Sequence, residues 1–173
     1  MKNQFIMAVL ATVLASVGSD AFAAACVANA IFTAPGPAAG NTCSGTDQLT
    51  DVCGDGTPIG GAKEFIYSVS LGATNSAAFT VNSPGVAGAG TGFNPYVAFM
   101  SGAACNSLDT CATNNAENSG NAQTNVTVGP TANAPAGTYF LVITDAGAAA
   151  NCGPFTVALA GTLPVTLQKF SVE

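Results

Sequence analysis

Thr138-Tyr139-Phe140-Leu141-Val142-Ile143-Thr144 is the stretch on which the fold turns. It is nearly continuous in apolar residues, so it has no polar face to give to water. A strand of that kind is expected in the middle of a sheet, covered on both sides. Ala136-Gly137 before it reads as a tight turn, and Asp145-Ala146-Gly147 closes it.

Working outward, Glu64 to Leu71 shows a period of two. Phe65, Tyr67, Val69 and Leu71 fall on one face, with Ser68 and Ser70 on the other. Ala77 to Val81, Tyr96 to Met100 and Asn125 to Val128 are further short runs of strand type. Phe155, Val157 and Leu159 alternate up to Gly161. Val27 to Phe32 is expected to pair at an edge before the Pro35-Gly36-Pro37 break. Glycine, proline, asparagine and serine clusters separate these runs, and no helical period occurs beyond the N-terminus. The pattern is that of an all-β sandwich. Ala34 to Ala62 and Gly102 to Gln123 are expected as long loops.

Residues 1–23 have the layout of an export signal. Lys2 precedes the apolar stretch Phe5 to Val17, and Ala21-Phe22-Ala23 offers small residues for cleavage. Lipidation at Cys26 is the rival, disfavoured by alanine rather than leucine at position 23. The apolar stretch is shorter than the roughly 20 residues that a span requires. No transmembrane segment is expected in the mature chain, which is secreted, extracellular or at the cell surface, with the periplasm as the alternative.

Six cysteines, Cys26, Cys43, Cys53, Cys105, Cys111 and Cys152, follow the signal. An even number in an exported chain points to disulfides. Spacing favours local clasps Cys43–Cys53 and Cys105–Cys111, leaving Cys26 to reach Cys152 around a long loop worth about 4–5 kcal/mol in a chain-entropy model. Other connectivities remain open. The mature length suits one domain, residues 24–161, followed by a tail at 162–173.

Composition excludes several function classes. The chain carries 9 acidic residues against 3 lysines and has no histidine, arginine or tryptophan. Its acidic surface repels nucleic acid and anionic lipid. A serine nucleophile would lack a histidine base. Lys63-Glu64 reads as the solvated start of a strand, and the scattered carboxylates lack an aromatic cleft, so no enzyme is expected. Asp47, Asp51 and Asp55 form a candidate calcium set on a glycine-rich loop, against the plainer reading of aspartates as turn formers. No other cofactor is expected. Phe93 and Tyr96 are the candidate ligand-facing aromatics, with packing at the start of a strand as the alternative.

The segment Leu163 to Glu173 alternates, pairing Val165 with Leu167 and Phe170 with Val172, after the last sandwich strand has ended. It reads either as a last edge strand or as a strand added to a neighbour. The expected partners are copies of the chain or another extracellular protein, with polysaccharide as a further ligand.

Gly61-Ala62-Lys63-Glu64-Phe65-Ile66-Tyr67-Ser68-Val69, Asn94-Pro95-Tyr96-Val97-Ala98-Phe99, Ala136-Gly137-Thr138-Tyr139-Phe140-Leu141-Val142-Ile143 and Cys152-Gly153-Pro154-Phe155-Thr156-Val157 follow a recognisable order. Together they resemble the bacterial pre-peptidase C-terminal domain, over roughly Cys26 to Gly161. The resemblance implies a jelly-roll-like β-sandwich, so that with the cysteines and the alternating tail the expected fold is an all-β, disulfide-stapled, jelly-roll-like β-sandwich with an extended C-terminal strand. The resemblance also implies a non-catalytic module that serves export, substrate contact or anchoring, with calcium held by loop aspartates in some members. The expected function is extracellular structure or surface assembly. The alternative is a calcium-dependent carbohydrate- or surface-binding domain working in trans with a secreted hydrolase.

Overall fold

A computed structural model describes residues 27–33, 36–53, 59, 61–72, 76–84, 93–101, 110–111, 117–119, 125–129, 135–146, 151–161 and 163. The strands are β1 (Ala30–Ile31), β2 (Ala38–Asn41), β3 (Phe65–Leu71), β4 (Ala77–Asn82), β5 (Pro95–Ser101), β6 (Thr110–Cys111), β7 (Glu117–Ser119), β8 (Asn125–Val128), β9 (Gly137–Asp145) and β10 (Pro154–Gly161). One 3-10 turn, Thr42–Ser44, follows β2.

These strands make two sheets. The first runs β1-β3-β9-β5, and β6 and β7 both pair with the far edge of β5. The second runs β2-β10-β4-β8. The pairings are antiparallel except β1 with β3, which is parallel. The chain is therefore an all-β sandwich, as its alternating runs require, and β9 is central in the first sheet.

The odd-numbered residues of β3, β5 and β9 in the first sheet face the second. Tyr67, Val69 and Leu71 of β3, Val97 and Phe99 of β5, and Tyr139, Leu141 and Ile143 of β9 pack on Phe79, Val81, Val126, Val128, Phe155 and Val157. Aromatic rings link the layers. Phe99 stacks on Tyr139 at a centroid distance of 5.3 Å and lies 4.9 Å from Phe79. Burying large rings in this way supplies most of the apolar area a small core can offer.

The even-numbered residues of the same strands enter a second cluster. Ile66, Tyr96, Ala98, Met100, Phe140 and Val142 lie on the outer face, where Leu49, Val52 and Ile59 cover them. The region expected as a loop from Ala34 to Ala62 thus contributes an edge strand, a 3-10 turn and a cap over the first sheet. Its strand was hard to anticipate because Ala38-Ala39-Gly40-Asn41 holds no β-branched residue. Gly40 is needed there, since a Cβ would run into the ring of Phe155. In the second expected loop, β6 and β7 pair with β5.

The cysteine pairing differs from the spacing-based expectation. Cys43 is bonded to Cys152, with an S–S distance of 1.99 Å and a Cα–Cα distance of 4.8 Å. Cys43–Cys53 and Cys26–Cys152 are therefore not the pairs. Cys53 is disulfide-bonded, but not to Cys43. Cys26 and Cys105 lie outside the described residues, so the expected Cys105–Cys111 clasp does as well.

The physical reason is register. Asn41 faces Pro154 in the β2–β10 ladder, which places Thr42 opposite Gly153 and Cys43 opposite Cys152. Thr42 N donates to Gly153 O at 3.0 Å, and Gly153 N donates to Thr42 Oγ1 at 3.0 Å. Short loops close more readily in an unfolded chain, but a formed ladder presents its own facing residues to one another. Among the described residues no helix is long and apolar enough to cross a membrane.

Candidate functional site

The most unusual chemistry in the described residues lies where the cap meets the first sheet. Glu64 immediately precedes β3 and is fully buried, at 0% exposure. Its backbone N donates to Thr46 O at 3.1 Å, forming an isolated bridge between the two residues. Its Oε2 accepts from Gln48 N at 2.7 Å, while its buried Oε1 has no hydrogen-bond partner. Burial pushes this carboxyl up to about 7. The Gln48 N–H works against that rise, and the Asp47 carboxylate adds to it.

The expectation that Lys63-Glu64 is a solvated pair therefore does not hold for Glu64. Glu64 shares its parity with Ile66, on the face that the serines of β3 suggested was open to water. The cap covers that face near Ile66 but leaves Ser70 exposed. The missed signal was the pairing of Leu49 and Val52 with Ile59, apolar residues set among polar turn formers.

Two further ties hold the cap. Asp47 Oδ2 accepts from Gly61 N at 3.1 Å, joining the two ends of the segment. Gln48 grips the N-terminal stretch: Val27 N donates to its Oε1 at 2.6 Å, and its Nε2 donates to Val27 O at 3.3 Å. Gly45 lies so close beneath that a Cβ there would collide with the Glu64 carbonyl oxygen. Lys63 sends its ammonium away from this cluster, to Cys43 O at 3.3 Å.

The candidate calcium set is placed in part. Asp47 is engaged as a loop tie, Asp51 lies on the same cap, and Asp55 is outside the described residues. Among the described residues no three histidine, cysteine or acidic side chains converge to hold a metal.

Phe93 and Tyr96 are core residues, 4% and 9% exposed, rather than ligand-facing platforms. Phe93 lies between the sheets, and Tyr96 sits in the outer cluster under the cap. Asp145, also buried, accepts from Asn94 N at 3.0 Å through Oδ2 and so fixes the approach to β5. Of the tail, Leu163 packs against the inter-sheet core. Val165, Leu167, Phe170 and Val172 lie outside the described residues. Searches of family models, curated proteins and solved structures found no match to the chain.

Proposed function

We propose that the chain is an exported, non-enzymatic β-sandwich that builds extracellular structure, adding its C-terminal segment as a strand to a neighbouring copy. The observation that carries this reading is the second sheet's pair of short edges. Among the described residues β2 pairs only with β10, and β8 only with β4. An edge of this kind can take a further strand, in β2 chiefly through its N–H groups, since Ala39 O and Asn41 O already accept from Tyr67 Oη and Ser44 Oγ. The alternating segment Val165-Thr166-Leu167-Gln168-Lys169-Phe170-Ser171-Val172 has the period that strand addition uses.

Two other features support the reading. The Cys43–Cys152 disulfide suits an oxidising compartment. The carboxylates of Asp47 and Asp145 are each engaged by a backbone N–H, a structural use of acidic side chains.

Removing residues 165–173 while keeping Leu163 in the core tests the proposal. Native mass spectrometry of the full chain is expected to show oligomers that fall to monomers on truncation. The same mass distribution for both forms overturns it.

A further inference from the structure

We propose that Glu64 is a proton-operated clasp, holding the Thr46 to Leu49 stretch against the first sheet while its carboxyl is neutral and releasing that stretch when it ionises. The geometry is that of a clasp because one residue makes both attachments. The Glu64 backbone binds Thr46 O, and its side-chain Oε2 takes the Gln48 N–H. The adjoining Leu49 is fully buried on the sheet, so release of the stretch also unseats an apolar anchor.

The neutral and charged forms fare differently in this place. A protonated carboxyl leaves one hydroxyl without a partner at Oε1. An ionised one brings a full charge into a site where Oε1 has no donor, which costs considerably more. The charged groups around it give no compensation. Asp47, held close by Gly61 N, is of like sign and disfavours ionisation. The Lys63 ammonium is turned to Cys43 O, the Asp145 carboxyl holds Asn94 N, and Asp51 is a further acid on the cap.

The sign follows from linkage. The carboxyl sits at about 7 when clasped, against 4.5 for a free glutamate, chiefly through burial. The clasped state therefore binds its proton more tightly than the released state. Closure is at full strength below about 4.5 and weakens as pH rises through the interval to about 7. That interval caps the change in the opening equilibrium at roughly 300-fold.

Hydrogen exchange on the full, oxidised protein reads the clasp directly through the Gln48 and Leu49 amides. Between about pH 5 and pH 8.5, after correction for intrinsic exchange, their protection is expected to fall on the order of a hundredfold. Phe79 and Val81 amides in the second sheet are expected to hold. Glu64→Gln mimics the neutral acid and should remove the pH dependence. A flat wild-type profile, or an equal fall in Glu64→Gln, overturns the proposal. Carbon-13 titration of the Glu64 carboxyl in the wild-type protein needs no variant to fold. A midpoint above about 6 supports the clasp, and one near the free value overturns it.

Discussion

Replacing Cys43 and Cys152 together by serine tests whether the disulfide is a continuation of the β2–β10 ladder. Thr42 N to Gly153 O continues the ladder by one backbone bond, while Gly153 N goes to the Thr42 hydroxyl, so the next pair, Cys43 with Cys152, falls where a non-hydrogen-bonded rung would follow. Facing Cα atoms approach to about 4.5 Å at such rungs, and the 4.8 Å between these two fits without displacing either strand. The bond closes a sequence separation of 109 residues. Loop-closure entropy over that length is worth about 5 kcal/mol in the unfolded chain. The disulfide at Cys53 already restricts that chain, which lowers the expected loss to about 3–5 kcal/mol. A domain of this size has about 5–15 kcal/mol in total, so the double variant should unfold at much lower urea. Urea titration gives the magnitude, and non-reducing peptide mapping gives the connectivity. A cross-linked peptide joining Cys43 to Cys53, or a loss below about 1 kcal/mol, would refute the register argument.

Gly45→Ala is expected to cost about 1–3 kcal/mol and to loosen the cap, because the new methyl meets the fixed backbone carbonyl of Glu64; thermal unfolding with exchange at Gln48 checks both effects. Phe99→Ala should cost about 3–5 kcal/mol, measured by urea unfolding, since the ring is fully buried between Phe79 and Tyr139.

Period-two alternation made most of the inter-sheet core legible in the sequence. Glu64 to Leu71 was expected as a strand with Phe65, Tyr67, Val69 and Leu71 on one face; the strand is Phe65–Leu71, the last three face the second sheet and Phe65 packs against that core. Asn125–Val128 appears with the expected bounds, and the run around Thr138 to Thr144 is central as its lack of a polar face requires. The N-terminal edge strand was also expected, although its ladder is confined to Ala30–Ile31. Non-local facts were not legible. Whether Ala38–Asn41 forms a strand depends on β10 lying beside it, and its own residues carry little strand preference. The disulfide follows from the same register, which spacing along the chain does not encode. Phe93 and Tyr96 were open to a ligand-facing reading because aromatics serve both surfaces and cores, and only packing separates the two.

The run that fixed the centre of the first sheet also explains why a buried acid can sit beside it. Tyr139, Leu141 and Ile143 are covered by the second sheet, so Phe140 and Val142 need a separate cover on the opposite face. The chain supplies one from the segment around Leu49, Val52 and Ile59 rather than from a third sheet. A cover built from turn residues has few ladder bonds, and it must be pinned by side chains at its stem. Asp47 and Glu64 do that pinning, and burial, with a lesser push from the Asp47 carboxylate, is what raises the Glu64 carboxyl. Disulfides hold the sandwich through Cys43 and Cys152, independently of pH over this range. The cap depends on a proton as well. The demand for a two-sided cover, visible in Tyr139-Phe140-Leu141-Val142-Ile143, thus creates a place where neutral pH acts on the fold.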